Sequence, residues 1–92
     1  MEKYEKEPIT NDLIREIVEL TKSTIGTTKR YSIECSIGQS FAFKSPRVIV
    51  TVYDMLEMRC NVVFMAMCYE SENLTEAIDK VREFLAKDGE SE

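Results

Sequence analysis

The chain predicts an α+β domain: a helix, a three- or four-stranded antiparallel sheet and a second helix, with both helices on one face of the sheet. Two observations carry this. Apolar residues recur at helical spacing near both ends of the chain, and between them residues 31–69 alternate with a period of two. At 92 residues there is enough chain for one hydrophobic core. The expected domain is residues 9–88, flanked by a charged tail at 1–8 and an acidic tail at 89–92, both expected to be flexible.

In PITNDLIREIVELTKSTIG, residues Leu13, Ile14, Ile17, Val18, Leu20 and Ile25 share one helical face, and Asp12, Arg15, Glu16, Glu19 and Lys22 take the other. Thr10 is placed to cap this helix, Ile9 and Ile14 to staple it, and Gly26 to end it. YSIECSI then alternates, with Tyr31, Ile33, Cys35 and Ile37 on one side and Ser32, Glu34 and Ser36 on the other. Gly38-Gln39 is expected to turn the chain into a short strand, SFAFK, which Ser45-Pro46 breaks. RVIVTVYD, rich in β-branched residues, sets Val48, Val50 and Val52 against Ile49, Thr51 and Tyr53. After the connection MLEM, a long strand is expected from about Arg59 to Tyr69.

The last helix is expected over SENLTEAIDKVREFLAKDG, with Asn73 as its cap in an Asn73-Leu74-Thr75-Glu76 capping box and Gly89 as its end. Leu74, Ala77, Ile78, Val81, Phe84 and Leu85 form its apolar stripe, and Glu76–Lys80 and Glu83–Lys87 have the spacing of favourable ion pairs.

The net charge of −5 is unevenly distributed. Residues 21–47 carry five bases against one acid, whereas residues 70–92 carry eight acids against three bases. This balance disfavours general nucleic-acid binding, which needs a cationic surface. The chain has no apolar run long enough to span a membrane, and MEKYEKEP lacks the apolar core of a signal peptide. A cytoplasmic location is therefore expected, with the three cysteines reduced, metal-free and largely buried on the core faces of strands.

The segment CNVVFMAMC tests for chemistry. In an extended strand Cys60 and Cys68 stand about 26 Å apart at 3.3 Å per residue, too far to share a metal ion or a disulfide. With no histidine in the chain, Ser-His-Asp and Cys-His catalysis are both excluded. There is no Walker or dinucleotide-binding glycine loop, and nearly all the acids fall on helix faces or tails. No cofactor, metal or enzymatic activity is expected. What stands out is that both faces of this strand are apolar, so Ile49, Tyr53, Val63, Met65, Met67 and Tyr69 are expected to form an exposed protein-contact surface. A homodimer pairing through that face is one expectation.

Two further readings concern nucleic acid. The helix-strands-helix order resembles double-stranded RNA-binding domains, which place a lysine cluster at the start of their last helix. Here that position reads ESENLTEAID, whose acids repel RNA, and Lys22, Lys29, Arg30, Lys44 and Arg47 are the remaining basic group.

The run NDLIREI, Asn11 to Ile17 within ITNDLIREIVE, resembles the opening helix of a small phage-encoded anti-CRISPR inhibitor of type II effector nucleases. The resemblance implies three strands after the first helix and then helical segments. It also implies a protein partner, an RNA-guided nuclease complex in the host cytoplasm, whose DNA-reading site is occupied by an acidic surface. By charge, Glu70, Glu72, Glu76 and Asp79 are the candidates for that surface. The function expected is thus non-enzymatic protein binding, in its most specific form inhibition of a nucleic-acid-handling complex.

Overall fold

The computed structural model describes residues 7–26, 30–39, 46–55 and 60–90, with the side chains of the last three left aside. Its elements are α1 (Asn11–Lys22), β1 (Tyr31–Gln39), β2 (Pro46–Asp54), β3 (Asn61–Cys68) and α2 (Ser71–Glu90). The strands form one antiparallel sheet in the order β1-β2-β3. This is the α+β arrangement the sequence predicts, with three described strands. Residues 40–45, where a short fourth strand was expected, lie outside the described residues.

Thr10 caps α1 as its sequence implies. Its backbone is extended, and its side chain accepts a hydrogen bond from the Leu13 amide at 3.3 Å, satisfying one of the free N–H groups of the first turn. Beyond Lys22 a turn leads to Gly26, whose φ of +75° lies in the left-handed region that costs glycine little. Between them Thr24 is buried. Its hydroxyl donates to the Thr21 carbonyl at 2.9 Å and accepts from the Ile33 amide at 3.4 Å, so the end of α1 is tied to β1.

Both helices contribute to a single core against one face of the sheet. From the strands come Tyr31, Ile33, Val48, Val50, Val52 and Cys68; from α1 comes Ile17, and from α2 come Leu74, Ala77, Ile78 and Val81. Val48, Val50 and Val52 are fully buried, which makes β2 the centre of the fold as well as of the sheet. Each such side chain is worth roughly 1.5–3 kcal/mol on burial. Tyr31 and Phe84 stack tilted at 5.1 Å between ring centroids, joining β1 to α2. Arg82 of α2 bonds Glu16 of α1 across the helix pair. At the end of the β1–β2 ladder, Arg30 grips Asp54 through two parallel bonds, at 3.0 and 2.9 Å.

Several local expectations are corrected. Gly38 and Gln39 do not turn; they continue β1, paired with Arg47 and Pro46. Arg47 lies across Gly38, leaving 3.0 Å between a Cβ built there and a guanidinium nitrogen, so a larger residue at 38 would have to displace the end of the Arg47 side chain. Pro46 opens a strand, where its missing N–H is tolerated. The second helix starts at Ser71, so Asn73 lies in its first turn and is not its cap. The long-range bond from the Ser71 amide to the Glu7 carbonyl at 3.0 Å satisfies a helix-terminal donor from elsewhere in the chain. Gly89 falls inside the helix, which runs to Glu90. Lys80 pairs with Glu83 at 3.5 Å, and Lys87 sits over the Phe84 ring at 5.4 Å.

The cysteines divide into three environments: Cys68 buried, Cys35 half-buried and Cys60 exposed. The expectation of largely buried cysteines thus holds at Cys68, in part at Cys35, and fails at Cys60, which precedes the strand. Burial pushes the Cys68 thiol from the ordinary 9.0 up to about 11, with smaller contributions from the charges of Cys35 and Glu76. Because the folded value lies above the unfolded one, this stabilisation is complete below about pH 9 and is lost as pH rises from 9 towards 11. The loss amounts to about 2–3 kcal/mol. Urea melts at pH 7, 9, 10 and 11 should show this decline, and Cys68→Ala should flatten it; an equal decline in both proteins would refute the assignment. In the native state at pH 8, a thiol reagent should label Cys60 first and Cys68 last.

A candidate protein-binding surface on the third strand

Strand β3 reads NVVFMAMC and contains no charged residue. Only Cys68 is buried within it. Its register against β2 slips between Val52 and Tyr53: Val52 faces Phe64, Tyr53 faces Val62, and Val63 is left over as a bulge. Val62 is 57% and Val63 43% exposed. Alternation alone assigns Val62 to the core; the bulge defeats that assignment.

The face of the sheet away from the helices is therefore divided. Along β1 it presents Ser32, Glu34 and Ser36; along β2, Ile49, Thr51 and Tyr53; along β3, the bulged valines, Met65 and Met67. Met65 and Met67 are 61% and 50% exposed. Ile49 and Tyr53 are half-buried, and Thr51, between Glu34 and Met65 in the register, is buried although it faces away from the helices. The Tyr53 hydroxyl donates to Glu34 Oε1 at 2.5 Å. That bond, with some desolvation and the nearby Glu34 charge, raises the phenol above its ordinary value of 10.0. Tyr69, just past β3, donates to the sulfur of Met67 at 2.8 Å. The six residues named from sequence thus gather on or beside one patch, apolar at β3 and polar at β1, which is the centre-and-rim composition of a protein interface.

On its other face β3 is also incompletely covered. Phe64 and Ala66 are half-buried, and between them and α2 runs an open groove of about 620 Å³. Phe64, Ala66 and Cys68 line it from the strand, and Glu76, Asp79, Lys80 and Glu83 from the helix. Alternation in the sequence marks these strand positions as core; the groove is the part of the core face that α2 leaves open.

The acids separate into two groups. Glu72, Glu76 and Asp79 are exposed along one flank of α2. Glu83 extends their 4-3-4 spacing into a continuous stripe. Sequence reasoning missed Glu83, although the spacing alone points to it. Glu70 precedes the helix and is half-buried, and its carbonyl accepts the Leu74 amide at 3.2 Å; it stands apart from the stripe. No lysine precedes Lys80 in α2, so the cationic entry of an RNA-binding last helix has no counterpart.

Among the described residues the basic group Lys22, Arg30 and Arg47 is dispersed. Arg30 is paired with Asp54, Lys22 with Glu19 at 3.9 Å, and the Arg47 guanidinium lies against Gly38. Lys29 and Lys44 fall outside the described residues. In the run NDLIREI, Leu13, Ile14 and Ile17 pack into or against the core, while Asp12, Arg15 and Glu16 line a shallow hollow with Arg82. Among the described residues no group of three or more cysteine or acidic side chains is placed to hold a metal ion, and no helix is long and apolar enough to cross a membrane. Neither a protein-family model, nor a curated protein, nor a solved structure matches the chain.

Proposed function

We propose that this chain is a non-catalytic protein-binding module whose contact surface is β3 together with the open face of the sheet. The observation that carries the reading is an eight-residue strand without charge, exposed on its outer face and only half-buried at Phe64 and Ala66 on the other, at the side of a chain of net charge −5. Folded proteins normally cover, shorten or charge such a strand. Methionines and valines beside a tyrosine supply adaptable apolar contact, and the Ser32–Glu34–Ser36 margin supplies a polar rim.

A more specific form of the reading is inhibition of a nucleic-acid-handling complex, of the kind implied by the NDLIREI resemblance. The stripe Glu72, Glu76, Asp79 and Glu83 favours it, since a straight row of exposed carboxylates suits a cationic nucleic-acid channel. Adding the purified chain to a type II RNA-guided nuclease before its DNA target tests this form directly. Cleavage should fall in proportion to the chain added, and combining Glu72→Gln, Glu76→Gln and Asp79→Asn should weaken inhibition at least tenfold and lessen its dependence on salt. Undiminished cleavage at a tenfold molar excess would remove the specific form and leave the general one.

The general reading is tested at the sheet face. Met65→Glu combined with Met67→Glu should change folding stability by less than about 1 kcal/mol, because both side chains are solvent-facing. The same charges buried in an interface are heavily penalised, so complex formation or self-association should be abolished. Sedimentation of the two proteins, alone and with a candidate partner, reads both effects. If the double variant unfolds, these methionines serve the core and the sheet face is not a contact surface.

A further inference from the structure

The two edges of the sheet are treated differently. Along β1, the outward-pointing Ile33 amide is taken by Thr24 in the turn after α1. Along β3, no strand or capping side chain from the described residues meets the outer edge, and the groove beside α2 opens along it. A strand edge that no described element meets, next to an open groove, is the arrangement that receives an extended peptide as an added strand.

Resting on the reading of the chain as a protein-binding module, we infer that β3 accepts an extended basic segment of its partner as a fourth strand. Strands in a sheet lie about 4.8 Å apart and send alternate side chains to opposite faces. A segment docked along β3 sends one set of side chains over the groove and the other alongside Met65 and Met67. On the groove side, the apolar floor of Phe64 and Ala66 suits the methylene stems of lysine or arginine, while Glu76, Asp79 and Glu83 on the helix wall meet their charged ends. On the open side, β-branched or aliphatic side chains extend the methionine surface. The matching sequence alternates basic and apolar residues. The Lys80–Glu83 pair on this wall is exposed and thus cheap to exchange for a bond to the incoming cation.

Charge selects against the other obvious occupant. In a symmetric pairing of two β3 edges each copy presents the same surface to the other, so the acidic walls of the two α2 helices are brought together. Like charges so placed oppose association, whereas a basic segment is attracted.

The test uses the whole chain and a blocked octapeptide alternating lysine and valine. On titration, the alternate amides of Asn61–Cys68 that point away from β2 should gain at least tenfold protection from hydrogen exchange. Replacing the peptide's lysines by glutamate should weaken binding at least tenfold, as should combining Glu76→Gln, Asp79→Asn and Glu83→Gln in the protein. Methylating the peptide's backbone nitrogens along one edge should abolish binding with the protein unaltered, which keeps the test valid if that triple variant folds poorly. Equal binding of lysine and glutamate peptides overturns the inference, and so does binding without protection of the outer amides. Protection of those amides before any peptide is added, together with the mass of a dimer, identifies a second copy as the occupant and also overturns it. Should the edge fail while Met65→Glu with Met67→Glu still abolishes association, the sheet-face reading stands without it; failure of both removes the two together.

Discussion

The row Val48, Val50 and Val52 on the inward face of β2 is the constraint on which the rest of this structure depends. All three are fully buried in one cluster with Ile17, Leu74, Ile78 and Val81. At roughly 1.5–3 kcal/mol each, these burials outweigh exposed ion pairs such as Arg15–Asp12 or Lys22–Glu19, which contribute about 0–1 kcal/mol. The helices therefore pack on the face of the sheet that these valines share. Because α1 packs on β1 and α2, the cover of the third strand falls chiefly to the single helix α2. The exposure of Phe64 and Ala66 is a consequence of that distribution.

Where a residue's neighbours in sequence also set its surroundings, the fold was legible. Thr10, the helical stripe of α1 from Leu13 to Leu20, and the alternation of residues 31–35 and 48–53 all act through local geometry, and the structure places them as the sequence predicts; Ile25, expected on that stripe, lies past the end of the helix at 70% exposed, and Ile37 is 46% exposed at the far end of β1. Errors arose where a distant residue decides. Gly38 reads as a turn until Arg47 is known to lie across it. Asn73 reads as a cap until the Glu7 carbonyl is found to take the Ser71 amide, letting the helix begin earlier. The bulge at Val62 and Val63 leaves no mark in the sequence, since either valine suits either face; it reverses the assignment of Val62.

The candidate surface was legible to a similar depth. Apolar residues on both faces of one strand announce that at least one face lies outside an ordinary one-sided sheet, and that inference led to Met65, Met67, Val63 and Tyr53. The sequence could not show that the inward face is also partly open, because coverage depends on where α2 crosses. Nor could it distinguish the two sheet edges. Among the described residues that difference shows at the hydroxyl of Thr24, nine residues before the amide it accepts from.

An uncharged edge strand is a hazard as well as an opportunity, since edge N–H and C=O groups that receive a partner also template aggregation. Two features limit the hazard here without covering the strand. The bulge at Val62–Val63 breaks the regular ladder near one end, so a long flat pairing cannot run its full length. The acids of α2 stand along the groove next to the edge and act at the short range where copies meet. A lysine or proline within β3 would protect it more completely but would close it to every partner. Placing the protective charge on the adjacent helix keeps the strand available and makes access depend on the sign of the incoming segment.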